Sequence, residues 1–208
     1  GVYACRILVP GMSDIYPVED LLLANNTMGA HLREVILALP SLEWNAEQYM
    51  ALFDQLDEEG HDERTRVREL LGIAAAKGSA LHTLRIGELK AMLALAAGDL
   101  ESALDLIDWT MEFNQSVFPA DRANYYRALR ACVELFLDEE RDPEQYRPVF
   151  ARMFGEETLA EAWAHARGEA RFHGLEAADL SLSQFPLHQK LLAAYEKLQK
   201  AKRIHTWN

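Results

Sequence analysis

The sequence predicts an all-α protein, an array of antiparallel helical hairpins that is tetratricopeptide-like, with one β-strand at its start. Two observations carry this prediction. From residue 17 onward, apolar residues recur at spacings of three and four, the period of a helix with one buried face. Caps, prolines and glycines interrupt that pattern at short intervals, and short connections favour antiparallel helices that pack side by side.

The predicted strand is the string Tyr-Ala-Cys-Arg-Ile-Leu-Val at residues 3–9. Its backbone N–H and C=O groups need a neighbouring strand, and the pattern predicts no second strand downstream. The chain also starts with Gly1 instead of methionine. We therefore expect a fragment in which residues 1–16 are the end of an upstream domain with its linker, and residues 17–208 form the helical domain.

About nine helices are expected after the strand. The first begins at Pro17, and the second begins at Asn45, whose side chain is placed to form a capping box with Gln48. Asp142 followed by Pro143 marks another start, because the carboxylate caps the helix and proline suits its first position. In order, the helices are predicted over 17–39, 45–59, 63–77, 79–97, 100–113, 119–138, a stretch that begins at 142, 156–171 and 187–202.

One stretch resembles half of a tetratricopeptide repeat. Ala91, Ala94 and Ala103 surround the turn Gly98-Asp99, an arrangement in which small residues let two helices cross closely. A shift by the repeat length of about 34 residues brings Leu137 to the place of the last alanine. The neighbouring repeats are therefore degenerate.

Composition limits the partners. The formal net charge is -12, which opposes binding to nucleic-acid phosphates. No apolar run approaches the roughly 20 residues that a membrane span needs. Cys5 and Cys132 are predicted to be buried thiols without a disulfide, as in a reducing cytoplasm. We expect a cytoplasmic protein that binds neither nucleic acid nor membrane.

No motif predicts a catalytic or metal centre. The seven histidines show no pair four residues apart, and His61, beside Asp62 and Glu63, is interpreted as an exposed loop residue. The phosphate-binding glycine loop and the nucleophile elbow are missing. Carboxylate runs at 54–59 and 138–140 are typical of solvated helix ends. The sequence predicts no catalytic residue, cofactor or metal in this chain.

Polar side chains on apolar faces are the candidates for partner binding. Asn25 interrupts its stripe, either as a buried amide that sets helix register or as a peptide contact. The runs 109–114 and 122–127 combine aromatic, amide and guanidinium groups, the composition of an interface hot spot. The competing interpretation is that the aromatics are core and the asparagines are helix caps. The candidate partner-binding residues are Asn25, Arg85, Glu88, Asn114, Asn124 and Tyr125.

Several long strings carry a resemblance to a known family. They are residues 6–13 and 16–21, Ala-Asn-Asn-Thr-Met-Gly at 24–29, 66–72, 83–96, 109–114, 122–127 and 194–199. The first two resemble the close of the ATP-binding domain of YcaO-family proteins. The others resemble the helical C-terminal extension of the stand-alone enterobacterial type, and the resemblance spans nearly the whole chain.

The resemblance implies that ATP and magnesium bind in the upstream domain, so that no nucleotide ligand can be mapped onto this chain. It further implies an accessory role in β-methylthiolation of a small-subunit ribosomal protein, assisting a radical-SAM methylthiotransferase, and a tetratricopeptide-like extension. Azole-forming relatives end in a proline-rich tail. This chain has no proline after Pro186, which makes ring formation by the parent doubtful.

Two functions are therefore expected. The first is a non-catalytic domain that forms a homodimer or docks a protein partner, either the methylthiotransferase or the ribosomal protein. The second is a small-molecule or peptide pocket near Arg85, Glu88, Asn124 and Tyr125 that contributes to ATP-dependent activation of a backbone amide. Binding of ATP with magnesium to this chain would distinguish them.

Overall fold

The computed structural model describes residues 29–204, and within that range the protein is all-α, as predicted. The expected strand at 3–9, Cys5, Asn25 and the domain border after residue 16 lie outside the described residues. The helices are α1 (Arg33–Ala38), α2 (Ala46–Glu58), α3 (Val67–Leu70), α4 (Ala80–Thr83), α5 (Ile86–Ala97), α6 (Leu100–Asn114), α7 (Ala120–Leu137), α8 (Pro143–Phe154), α9 (Glu156–Ala166) and α10 (Pro186–Ile204). Turns of 3-10 helix at Ala30–Leu32 and Leu39–Ser41 flank α1.

The central element is α5. Every residue from Ile86 to Leu95 is buried, because α2 packs on one side of this helix and α6 on another. One apolar cluster joins α1, α2, the segment around α3 and part of α5, and a second joins the rest of α5 to α6, α7 and α9. A helix buried all round needs apolar or small side chains on most faces, which the Ala- and Leu-rich sequence of α5 supplies, and its two buried charges, Glu88 and Lys90, are both ion-paired.

The predicted helix ends are confirmed where side chains specify them. Asn45 accepts from the backbone N–H of Gln48, whose side chain accepts in return from the Asn45 N–H, a complete capping box. Asp142 caps α8 through the Glu144 N–H, with Pro143 at the first position. Gly98 ends α5 with a φ of 79°, a left-handed conformation that favours glycine.

Of the helix predicted over 63–77 only Val67–Leu70 forms, and the helix predicted over 79–97 is interrupted between Thr83 and Ile86. Residues around Thr65 instead pair with residues around Leu84: the N–H of Val67 donates to the Leu84 carbonyl at 2.9 Å, and that of Ile86 to the Thr65 carbonyl at 3.0 Å. Arg66 and Arg85 form an isolated antiparallel bridge between the two segments. This long-range pairing holds both segments extended, overriding a local helical pattern.

The connection after α9 is also longer than expected. The helix predicted over 156–171 ends at Ala166, and residues 167–185 run without a helix to α10. Phe172 and Leu182 anchor this segment in the first apolar cluster, and both have a positive φ, 55° and 53°. Left-handed backbone costs about 1–2 kcal/mol per residue, which burial of a large apolar side chain offsets.

Candidate functional site

A cleft of about 820 Å³ opens between the helices. It lies where the α4–α5 junction, the end of α6, the start of α7 and the first turns of α9 come together. Three of the predicted residues, Arg85, Asn114 and Tyr125, line it. The other charged side chains at its wall are Arg66, Asp121, Arg122, Glu157 and Glu161, and the imidazole of His173 lies among them.

Arg85 is fixed at the mouth of the cleft by three contacts. Its Nε donates to the Oδ1 of Asn114 at 3.2 Å, its Nη1 donates to the Arg64 carbonyl, and its guanidinium lies 4.7 Å from the ring centre of Phe113. Burial and the neighbouring positive charge of Arg66 lower the pKa of Arg85. The side chain is therefore a positioned cation beside an aromatic ring that is 36% exposed.

Glu88 lies behind the cleft wall, fully buried. Its Oε1 accepts hydrogen bonds from Arg122 and from the hydroxyl of Tyr126, and Arg122 also donates to Thr83 Oγ1 at 2.6 Å. Burial, with the Glu88 carboxylate beside it, raises the pKa of Tyr126 well above its usual range. Glu88 thus positions Arg122 at the cleft, while the carboxylate itself contacts no solvent.

The predicted asparagines have different roles. Asn114, the last residue of α6, is buried, and its Nδ2 donates to the Thr110 carbonyl at 2.9 Å while its Oδ1 holds Arg85. Asn124 donates to the Phe154 carbonyl at 2.8 Å, so that it ties α7 to the end of α8, and it does not line the cleft. Both side-chain amides therefore donate to a backbone carbonyl in the last turn of a helix, which is the kind of contact that the interpretation of the asparagines as caps predicts.

Tyr125 forms the floor of the cleft and joins a cluster of rings. Its ring stacks on that of His173 with centroids 3.6 Å apart, and it meets His165 edge-on at 5.9 Å. Glu161 completes the group, since its Oε1 lies 2.7 Å from the His173 Nδ1. Burial raises the pKa of Tyr125 and lowers that of His165.

Sequence reasoning missed Glu161, His165 and His173. The signal for the first two was present, since a glutamate and a histidine four residues apart share one helix face. His173 follows the end of α9, and no periodicity relates it to the helix. His61 was also misjudged: it is buried, and its Nε2 lies 2.8 Å from a carboxylate oxygen of Glu59.

Within residues 29–204, no helix combines the length and the apolar character needed to cross a bilayer.

Comparison with known proteins gives a consistent result. Residues 29–204 match the model of the YcaO cyclodehydratase C-terminal domain. Over 202 residues the chain is 61% identical to the ribosomal protein S12 methylthiotransferase accessory factor YcaO of Escherichia coli, an alignment that covers 97% of this chain and 34% of that protein. It is 53% identical over 203 residues to an uncharacterized protein of Haemophilus influenzae, covering 97% of this chain and 35% of the other. The chain spans about a third of the length of these curated relatives.

Proposed function

Because the chain belongs to the YcaO cyclodehydratase C-terminal domain family, we propose that it is the protein-interaction part of an accessory factor for methylthiolation of ribosomal protein S12. It has no catalytic centre of its own in this proposal. The observation that carries the proposal is the cleft, in which fixed guanidinium, amide and aromatic groups converge between helices. Such groups dominate protein interfaces, and helical arrays bind partners in concave grooves.

Close packing at the α5–α6 hairpin supports a tetratricopeptide-like architecture. Ala91, Ala94 and Ala103, the small residues of the predicted repeat, are buried to 2%, 0% and 0% exposure. Their small side chains let the two helices approach closely around Gly98.

We further propose that ATP and magnesium act elsewhere in the longer parent protein, in the cytoplasm, and that this chain brings the parent to its partner. The methylthiotransferase and ribosomal protein S12 are the two partners to test. The chain covers about a third of the length of its relatives, and in this proposal the parent's reaction takes place in parts of the protein beyond it.

A capture experiment tests the docking role. The tagged chain is incubated with each purified partner, alongside Arg85→Glu and Glu157→Arg, which reverse charges on two sides of the cleft. Arg152→Glu, an exposed site on α8 away from the cleft, is the matched control. We expect the wild type and the control to retain a partner that both cleft variants lose. Capture of neither partner, or equal capture by all four folded proteins, would contradict the docking role.

The predicted homodimer needs a separate contact. On α8, Val149 and Met153 lie one helical turn apart and are 52% and 63% exposed, so that they offer an apolar patch to a second copy. Light scattering during size exclusion tests this proposal. We expect a dimer for the wild type and a monomer for the double variant Val149→Glu/Met153→Glu.

The second candidate function is an anion pocket in the same cleft. It is favoured by one observation, that Arg66, Arg85 and Arg122 are all among the residues that line the cleft. Calorimetry with ATP and magnesium tests it. Saturable binding that Arg85→Glu abolishes would favour the pocket over the docking role.

A further inference from the structure

Glu161, His165 and His173 bring three potential metal ligands to one point at the edge of the cleft. One ligand atom from each lies within 4.8 Å of the other two. One separation, that between the Glu161 Oε1 and the His173 Nδ1, is 2.7 Å. We propose that these three side chains bind a zinc ion. This site does not depend on the docking role.

The donor set favours zinc. Two imidazole nitrogens and one carboxylate oxygen are the ligands of catalytic-type zinc centres, which keep a fourth position open. Calcium and magnesium prefer oxygen ligands throughout. Glu161 and His173 line the cleft, so that the proposed site lies at its edge.

The spacing is close to what the ion requires. Zinc–nitrogen and zinc–oxygen bonds of about 2.0–2.2 Å place tetrahedral ligand atoms about 3.3 Å apart. The 2.7 Å contact therefore has to widen, and the other separations, all within 4.8 Å, have to settle near the same value. The Glu161 side chain is 46% exposed and can make that adjustment by rotating, without repacking the core.

The two histidine rings are held before any ion arrives. His173 is stacked on the buried ring of Tyr125 with an interplanar angle of 9°. His165 is buried on α9, one turn beyond Glu161, and its Nδ1 lies 2.8 Å from the Glu161 carbonyl. Since a carbonyl only accepts, that Nδ1 carries the proton, and the Nε2 lone pair is left for a metal.

Titration of the whole chain with zinc and cobalt tests the site. The chain is stripped with a chelator, and zinc is added in a calorimeter. Cobalt is added in parallel, because its visible absorption reports a tetrahedral site. We expect one equivalent of metal per chain and the intense bands of four-coordinate cobalt.

The variants are chosen so that folding is preserved. Glu161→Gln and His173→Ala change exposed or half-buried side chains, whereas His165 is left intact because it is buried. Removing a residue that only hydrogen-bonds to a metal ligand lowers metal affinity by about 10–100-fold in known sites. Removing a ligand itself should lower the affinity for zinc at least as much. Circular dichroism confirms that each variant is folded.

Two control variants distinguish zinc binding at this site from nonspecific zinc binding to other carboxylates and histidines. Glu157→Gln changes a cleft carboxylate one turn before Glu161, outside the cluster. His31→Ala breaks a second histidine–carboxylate cluster, in which His31 and His61 contact separate oxygens of Glu59. Both controls should bind zinc like the wild type. Absence of zinc binding by the wild type, or equal binding by Glu161→Gln and His173→Ala, would overturn the proposal.

Discussion

The guanidinium of Arg122, at the start of α7, donates a hydrogen bond to the carboxylate of Glu88, which is fully buried on α5. The Coulombic attraction of Glu88 raises the pKa of Arg122, although burial of the guanidinium opposes it. The Glu88 Oε2 has no hydrogen-bond partner in the described part of the chain. This pair joins the central helix to the cleft wall at the cost of burying a charge.

Removal of Arg122 should therefore destabilise the protein strongly. In Arg122→Met the Glu88 carboxylate is left buried without its counter-charge, and we expect a loss of about 3–5 kcal/mol in the free energy of unfolding. Urea denaturation measures it. The double variant Glu88→Gln/Arg122→Met should regain part of the loss, since no charge remains to be buried. Arg130→Met, which breaks half-exposed pairs with Asp108 and Glu134, should cost less than about 1 kcal/mol.

Gly87 is packed against Trp109, and a methyl group there should destabilise the α5–α6 pair. A Cβ at Gly87 would lie 2.5 Å from the Cζ3 of that indole, closer than real Cβ contacts allow. Alanine ordinarily stabilises a helix by about 1 kcal/mol relative to glycine. We expect the opposite sign here, a loss of about 1–3 kcal/mol for Gly87→Ala, because the indole has to move. In a Trp109→Leu background the same substitution should become neutral or stabilising. A loss of equal size in both backgrounds would contradict this explanation.

Glu59 should make stability depend on acid pH. Burial raises its pKa, but hydrogen bonds with Gln55, His31 and His61 outweigh burial and bring the pKa from 4.5 to about 2. When folding lowers the pKa of a carboxyl group, that group stabilises the folded protein at any pH above the pKa it has in the unfolded chain. This stabilisation is lost as the pH falls to the pKa that the group has in the folded protein. The stability difference between wild type and Glu59→Gln should thus shrink as the pH falls from 4.5 to 2. Glu58→Gln, at an exposed neighbouring residue, is the matched control.

Phe172 should hold the irregular segment 167–185 against the helices of the first apolar cluster. Its side chain is 2% exposed and packs 5.8 Å from the ring centre of Tyr49. We expect Phe172→Ala to cost about 3–5 kcal/mol and to open this segment to proteolysis before the helices unfold. Limited proteolysis followed by mass spectrometry locates the first cut. Leu187→Ala, at a residue 44% exposed, is the control and should leave the cleavage pattern unchanged. First cuts elsewhere in Phe172→Ala would show that another contact holds the segment.

Much of the fold was predictable because local signals specified it. Capping side chains at Asn45 and Asp142 and the left-handed turn at Gly98 act within a few residues of the ends that they define. Those ends agree with the structure. The run 63–77 also had a helical pattern, but its backbone is extended around Thr65, where it pairs with residues around Leu84. Helix propensity depends on neighbouring residues and therefore does not reveal a backbone pairing with a segment about twenty residues away.

The candidate site was predictable only in its composition. Arg85, Asn114 and Tyr125 were identified from residue type and position on helix faces, and they line one cleft. Glu88 was identified with them but lies buried behind the wall, and Asn124 ties two helices together. His173 was not identified at all, since its place beside Glu161 depends on the path of the chain after α9.

Fold class, the ends of the capped helices and the family all follow from the amino-acid sequence, because each is specified by neighbouring residues or by long matching strings. Tertiary structure alone decided which polar groups face the cleft, which are buried, and that Glu161, His165 and His173 meet. The physical reason is that a side chain's charge, exposure and ligands are set by the elements packed around it. Those elements come from distant parts of the chain, and their packing is a property of the whole fold.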